Sequence, residues 1–285
     1  MTLDEMKPMA RVCGEMIEFF IQSCTGGVNT DNLVISPTEL GIAETIWDIV
    51  APMGLAICLL YFMIDINRIM LTESNNFTLK SLGNPLLKFS CGLAFIQYGD
   101  DIITNLLTYG NALILWSANQ TGAGTTVSTD FLEDLNQMIN DGGFWQTIMM
   151  LLMCIVLWIT GLLVGLIIDF KMLILKFEII FRVGFAPIAM GDVFDGKQSH
   201  GLRYCKKLLA CFTYGAGMIL VLRMGMEIAT ASFLTGDKDL TNIAVSAGDS
   251  LWATCKIVLL PIIVPLAEIG ALGLIKQASN DVWGC

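Results

Sequence analysis

The stretch FWQTIMMLLMCIVLWITGLLVGLII, residues 144–168, contains no charged side chain. A helix needs roughly 20 apolar residues to cross the hydrocarbon core of a bilayer, and this stretch exceeds that length. No helix in the core of a soluble protein needs such a run. The stretch therefore predicts a transmembrane helix.

The composition of the whole chain agrees with this prediction. Of its 285 residues, 55% are hydrophobic and only 15% are charged, whereas a soluble domain usually has about 25% charged residues. The mean hydropathy is +0.68. Too few polar side chains remain to cover a soluble protein of this length, so we expect an all-α, polytopic membrane helix bundle.

Five apolar segments predict five transmembrane helices. The predicted spans are approximately residues 45–71, 86–117, 144–169, 207–234 and 251–276, within a transmembrane domain of residues 36–285. Residues 1–35 are predicted to form an amphipathic helix and a loop, because apolar side chains recur there at three- and four-residue spacing. We expect this helix to lie along the membrane surface or against its neighbours; a short crossing helix is the alternative.

Residues 171–206 do not fit a simple crossing. Charged residues punctuate the first part of this segment, and Gly184, Pro187 and Gly191 then follow within eight residues. Glycine and proline at this density disfavour a continuous helix. We predict a re-entrant or interfacial helical segment here.

The placement of lysine and arginine predicts the orientation. The loop of residues 118–143 contains neither, whereas residues 171–206 are rich in both. Because cytoplasmic loops carry an excess of lysine and arginine, we expect the loop outside and residues 171–206 on the cytoplasmic side. With five crossings of the cell membrane, the N-terminus and the start of the first span are then outside and the C-terminus is cytoplasmic.

A set of polar residues shares one face of the second span. Their spacing of three and four positions aligns them on a helix, and two are acidic residues near the middle of the span. A charge that faced lipid there would cost a few kcal/mol. The set therefore predicts either a hydrated path or subunit interface, or a buried polar face; its members are Gln97, Asp100, Asp101, Thr104, Thr108 and Asn111.

The last two spans carry further polar and helix-breaking residues. Arg223 and Glu227 stand one turn apart, which predicts an ion pair within the helix. Pro261 and Pro265, followed one turn later by Glu268, predict a break in the fifth span. Such a break shapes helix packing or builds an ion or substrate site at the midplane of the bilayer.

The remaining motifs point to packing and away from catalysis. Gly161 and Gly165 stand four positions apart in the third span, as in closely packed membrane helices. We find no hydrolase, zinc-peptidase or nucleotide-binding pattern. The nine cysteines lack metal-site spacing, and His200 is the one histidine. We therefore expect no enzyme, cofactor or metal.

Residues 182–223, RVGFAPIAMGDVFDGKQSHGLRYCKKLLACFTYGAGMILVLR, carry a family resemblance. A Gly-x-Ala-Pro turn and a short charged loop precede GLRYCKKLLA, which enters a long apolar helix. This pattern resembles the TrbL-type inner-membrane proteins of conjugative type IV secretion systems. It is most similar to those on integrative conjugative elements, a class of mobile genetic element, of Gram-positive bacteria.

The resemblance implies a role in DNA transfer between cells. Such a protein is expected to be a ring-like homo-oligomer, a channel or scaffold subunit that works with other conjugation subunits, including separate ATPases. By this likeness, the motif residues lie on the cytoplasmic side near the ATPases, and none is catalytic; they are Arg182, Gly184, Pro187, Arg203, Lys206 and Lys207.

Two questions stay open at this point. The basic cytoplasmic side suits anionic lipid headgroups, and the sequence does not show whether DNA contacts this subunit. The residues by themselves also allow a small-solute or ion transporter or channel that uses the acidic residues within the membrane.

Overall fold

The computed structural model describes residues 8–24, 33–72, 79–120, 144–191, 200–233 and 251–284. Within these ranges the chain forms seven helices and no strand, which confirms the all-α class. The helices are α1 (Pro8–Cys24), α2 (Pro37–Thr72), α3 (Leu79–Gln120), α4 (Phe144–Gly184), α5 (Ala186–Met190), α6 (His200–Phe233) and α7 (Leu251–Trp283). Most of the predicted outer loop, residues 121–143, lies outside the described residues.

Four helices of the described ranges are long and apolar enough to cross a membrane. They are Pro37–Thr72, Leu151–Gly184, Gly201–Gly225 and Ile262–Trp283. The chain is therefore a multi-pass membrane protein. The predicted second span, residues 86–117, lies within α3, which is long enough but is not among these four. Its polar residues lower its hydropathy, and its crossing stays a prediction.

The third predicted span and the first part of the interrupted segment are one helix. α4 runs without a break from Phe144 to Gly184. Charged residues do not stop a helix, whereas a proline removes a backbone donor and restricts the residue before it. The break accordingly falls at Phe185, and Pro187 stands in the first turn of the short helix α5.

The fifth span is one continuous helix, so the prolines do not divide it, and a kink at them stays a prediction. α7 continues from Leu251 to Trp283 and includes both Pro261 and Pro265. Each proline removes one backbone hydrogen bond, but membrane helices tolerate this where neighbouring groups satisfy the freed carbonyls. The prolines therefore lie inside a helix and do not divide it.

The chain forms two compact units, each built from three stretches. The first unit contains Met1–Thr30, Ser117–Met172 and Gly217–Ile275, and the second contains Asp31–Trp116, Leu173–Ala216 and Lys276–Cys285. The helices α4, α6 and α7 each contribute residues to both units.

In the first unit, α1 packs along α4. A Cβ atom on Gly161 would lie 2.9 Å from Cα of Phe20, and one on Gly165 would lie 3.2 Å from Cβ of Ser23. Residue numbers rise together in the two contacts, from Phe20 to Ser23 in α1 and from Gly161 to Gly165 in α4, so the two helices run parallel. The predicted close packing at these glycines thus brings α1 against the charge-free part of α4, as expected for a helix that packs against a neighbour.

The amphipathic pattern of α1 explains this packing. Its buried side chains, which recur at helical spacing, are Ala10, Cys13, Ile17, Phe20 and Ile21. On the exposed side, Nε of Arg11 donates to Oε1 of Glu15 over 3.0 Å. α1 therefore presents one apolar face to its own unit.

In the second unit, α2 and α3 form an antiparallel pair with a fixed register. Near the start of α2, the side chain of Asn111 bonds both backbone groups of Ile35, at 3.2 and 3.1 Å. Further along, a Cβ on Gly99 would lie 2.7 Å from the ring of Trp47. The rings of Phe62 and Phe89 then stack with their centroids 4.8 Å apart, and Lys88 pairs with Asp65 at 3.4 Å.

The second unit corrects the predicted sidedness. Nζ of Lys176 lies 2.8 Å from Oε1 of Glu39, and a Cβ on Gly184 would lie 2.6 Å from Cγ2 of Ile46. The predicted topology put the start of the first span outside and residues 171–206 inside, but groups in contact share one side of a bilayer. Counting lysine and arginine compares loops and holds no information on contacts between segments.

The close packing of α5 on α2 predicts that a larger side chain at Gly54 lowers the stability of the protein. We expect Gly54→Ala to destabilise the protein by about 1–3 kcal/mol, because the added carbon would overlap the backbone carbonyl of Pro187. In the same helix, the added carbon of Gly41→Ala meets no atom within 4 Å. This control is expected to raise stability by up to about 1 kcal/mol. Thermal unfolding in mild detergent, followed by the labelling of buried thiols, measures both variants, and equal midpoints would contradict the packing.

Candidate functional site

The predicted polar face of α3 serves more than one purpose. Gln97, Asp100, Asp101 and Thr108 are exposed, and Thr108 donates its hydroxyl to the carbonyl of Thr104 over 2.9 Å. Asn111, by contrast, holds the turn before α2 through its two bonds to Ile35. The structure therefore separates Asn111, a structural residue, from the exposed acidic pair.

The register of α2 and α3 changes the predicted depth of Asp100 and Asp101. Both follow Gly99, which packs on Trp47, so they stand near the level of Asp48. The apolar run of α2 starts after Asp48 and covers residues 49–64. The acidic pair consequently lies level with the end of the α2 apolar run, although it stands near the middle of residues 86–117, the predicted second span.

Four carboxylates gather at this level and form what we call the acidic surface. Its members, Glu44, Asp48, Asp100 and Asp101, are all exposed, and Asp48 and Asp101 are close enough to Asp100 to act on its charge. Large apolar side chains adjoin it, including Ile49, which is 70% exposed. Charged and apolar groups thus share one uncovered face of the second unit.

A buried carboxyl group lies in the first unit. Glu268 on α7 is only 4% exposed, and its side chain lies against Gly225 of α6, where any Cβ atom would overlap it. Among the described residues, Oε2 of Glu268 has no hydrogen-bond partner. The side chains of Glu227 and Pro261 lie outside the described part of the chain. The predicted ion pair between Arg223 and Glu227 therefore lies outside it too.

A cluster of charged side chains surrounds Glu178 in the second unit. Nη2 and Nε of Arg182 donate to Oε1 of Glu178 over 2.6 and 3.2 Å. Nζ of Lys276 donates to Oε2 over 3.2 Å and stands 5.9 Å from the centre of the Tyr214 ring. One carboxylate on α4 therefore binds cations from α4 and α7.

Further bonds fasten the three helices at this place. The hydroxyl of Tyr204 donates to the carbonyl of Arg182 over 2.5 Å. Ser279 donates to the carbonyl of Ala210 over 2.6 Å, and the indole of Trp283 donates to Thr213 over 3.0 Å. The start of α6 is thus tied to the ends of α4 and α7.

A cavity of about 300 Å³ opens beside the Glu178 cluster. Six of its lining side chains are charged or polar: Glu178, Arg182, Lys207, Tyr214, Lys276 and Asn280. We call this the basic cavity, because three cations face one carboxylate.

The motif residues divide between the basic cavity and packing positions. Arg182 and Lys207 line the cavity, whereas Gly184 and Pro187 pack on α2. Arg203, which is exposed, and Lys206, which is half-buried, do not line it.

Sequence reasoning missed Glu178, Lys276 and Asn280 as partners of the motif. Glu178 and Lys276 are 98 positions apart, and no local spacing connects them. Two signals were available: Glu178 stands one turn before Arg182, a spacing that predicts an ion pair, and it lies on an apolar helix, where a buried carboxylate favours cations nearby.

In the described part of the chain, no three histidine, cysteine or acidic side chains come together as a metal site would require. Comparison of the chain with protein-family models, curated proteins and solved structures finds no match. The two charged surfaces therefore have to be interpreted through their own chemistry.

The Glu178 cluster predicts the effect of removing its charge. We expect Glu178→Gln to destabilise the protein by about 1–2 kcal/mol, a value kept low because Lys276 is half exposed. Asp169→Asn, an exposed position on the same helix that forms no ion pair with the described residues, is expected to change stability by less than about 0.5 kcal/mol. Thermal unfolding in detergent measures both, and equal effects would show that the cluster contributes no stability.

Proposed function

We propose that this chain is a channel or scaffold subunit of a conjugative type IV secretion system that takes part in DNA transfer across the cell membrane as a ring-like homo-oligomer. The resemblance of residues 182–223 to TrbL-type proteins supports the assignment to a conjugative secretion system. The acidic surface is the structural observation that supports the ring.

The acidic surface cannot be covered by lipid tails at low cost, although its place at the end of the apolar run leaves it within reach of water. A carboxylate in the hydrocarbon region costs a few kcal/mol, and Asp48, Asp100 and Asp101 stand together at the end of an apolar run. Water or a second protein surface has to cover them, while the neighbouring apolar side chains favour lipid or protein. Several copies around a shared polar opening satisfy both requirements.

The basic residues support the orientation of the proposed subunit. Arg182, Lys207 and Lys276 gather at the ends of α4, α6 and α7, and such clusters favour the cytoplasmic side. We therefore propose a cytoplasmic C-terminus, and the pair of Lys176 and Glu39 then puts the start of α2 on the cytoplasmic side as well. Partner ATPases would dock on the cytoplasmic side and supply the energy, and the chain itself would not be an enzyme.

DNA would pass this subunit without being held at the acidic surface. Carboxylates repel phosphates, and proteins that bind DNA neutralise them with lysine and arginine. An acidic opening thus would not bind DNA and would also repel it on entry, so its passage would depend on the energy that the ATPases supply.

Transfer from donor to recipient cells tests the proposal. Deletion of the chain should abolish transfer, and the wild-type chain should restore it. The double variant Asp100→Lys, Asp101→Lys should restore DNA transfer to a level at least about tenfold below that of the wild type, because the new cations reverse the local field and retain DNA. Asp281→Lys, an exposed position at the end of α7, is the matched control and should restore transfer fully, with equal amounts of chain in the membrane.

Imaging of the purified wild-type chain in detergent supplies the second arm of this test. We expect ring-shaped particles of several copies. Undiminished transfer without the chain, or strictly monomeric particles, would contradict the proposal.

The alternative is a small-solute or ion transporter or channel, and Glu268 favours it. A carboxyl group that is 4% exposed within a membrane helix is typical of ion and proton paths. In this case, vesicles that contain the purified chain should take up sodium ions or protons.

Glu268→Gln separates the two functions. For a transporter it should lower ion uptake at least about tenfold, since the amide neither binds a proton nor carries charge, while Asp281→Asn should not. For a conjugation subunit, neither protein should move ions, and Glu268→Gln should leave DNA transfer unchanged. Ion-sensitive dyes inside the vesicles report the uptake.

A further inference from the structure

The basic cavity has more charge than its internal ion pairs use. Glu178 engages Arg182 through one oxygen and Lys276 through the other. Lys207 is exposed and forms no ion pair with any described residue. Among the described residues that line the cavity, three cations face one carboxylate, which leaves an excess of two positive charges.

The donors around the cavity also exceed the acceptors. A lysine ammonium has three N–H donors, and Lys276 uses one of them on Glu178. Asn280 adds an amide and Tyr214 a hydroxyl to the same wall. An anion with several oxygens would satisfy donors that have no acceptor among the described residues.

The cavity stands where apolar helix stretches end. Lys207 directly precedes residues 208–222 of α6, which contain no charge. Lys276 directly follows residues 257–275 of α7, in which Glu268 is the single charged residue. Cations at the ends of apolar stretches lie at the level of lipid headgroups.

The size of the cavity restricts its occupant. At about 300 Å³ it is at the lower end of the range for small-ligand pockets, about 300–1,000 Å³. This volume suits a phosphate with a short polar substituent, such as a glycerophosphate headgroup.

We propose that the basic cavity binds a phosphate-bearing anion, which Lys207, Lys276 and Arg182 neutralise. An anionic phospholipid whose headgroup enters the cavity and a free phosphate offer the same chemistry. The position at the ends of two apolar stretches favours the lipid.

Native mass spectrometry of the purified chain in an uncharged detergent tests the proposal. The probes are short-chain phosphatidylglycerol, short-chain phosphatidylcholine, inorganic phosphate and a short single-stranded oligonucleotide. We expect phosphatidylglycerol to bind with one site per chain and to outcompete phosphatidylcholine. If inorganic phosphate binds with equal affinity and displaces the lipid, the site is one for free phosphate.

Lys207→Gln is the variant that assigns the binding to the cavity. Its affinity for the bound phosphate probe should fall about fivefold, and its folding should be unchanged because the side chain is exposed. Arg203→Gln is the matched control: it removes an exposed cation from the same helix that does not line the cavity, so it should keep the affinity of the wild type.

Two results would overturn the proposal. One is that Lys207→Gln, Arg203→Gln and the wild type all bind phosphatidylglycerol with the same affinity, and likewise all bind phosphate with the same affinity. The other is binding of the oligonucleotide alone, which would assign the cations to nucleic acid.

Discussion

The pairing of the Glu178 carboxylate with two cations is the interaction that joins the helices of the second unit at its charged end. A partly buried charge on an apolar helix is favoured when cations and hydrogen bonds surround it. Glu178 meets this condition by engaging Arg182 of its own helix and Lys276 of α7. The Tyr204 bond to the carbonyl of Arg182 then brings in the start of α6. Glu178 and Arg182 consequently stand at a junction of three helices, and the basic cavity opens beside it.

The helices themselves could be predicted, because each depends on local sequence. The charge-free stretch at residues 144–168 lies within α4, and the amphipathic pattern of residues 8–24 is the α1 of the structure. The limits of helices were harder to predict where a helix continues past its apolar part. α4 passes through Lys171 and Lys176 and ends only at Gly184. Periodicity and hydropathy report the environment of a helix, whereas its end depends on backbone chemistry.

The contacts between helices could not be predicted. The register of α2 and α3 rests on Asn111 and Ile35, which are 76 positions apart, and this register moves Asp100 and Asp101 to the end of an apolar run. The pair of Lys176 and Glu39 likewise places two distant segments on one side of a bilayer. A count of charges per loop lacks this information, since it treats every segment separately. The acidic pair was therefore recognised from the sequence, but its depth was not.

The distribution of charge in the second unit runs against the composition of the chain. With 26 acidic and 16 basic residues, the chain has a net charge of −10, so an average surface would be negative, as the acidic surface is. Structural pairing alone would match Glu178 with about one cation, whereas the cavity wall holds three. In a chain poor in cations, such an excess among the described residues at the ends of apolar stretches suits the binding of an anion from outside the chain. A phosphate bound at the membrane boundary would supply negative charge and balance the excess of cations on the cavity wall.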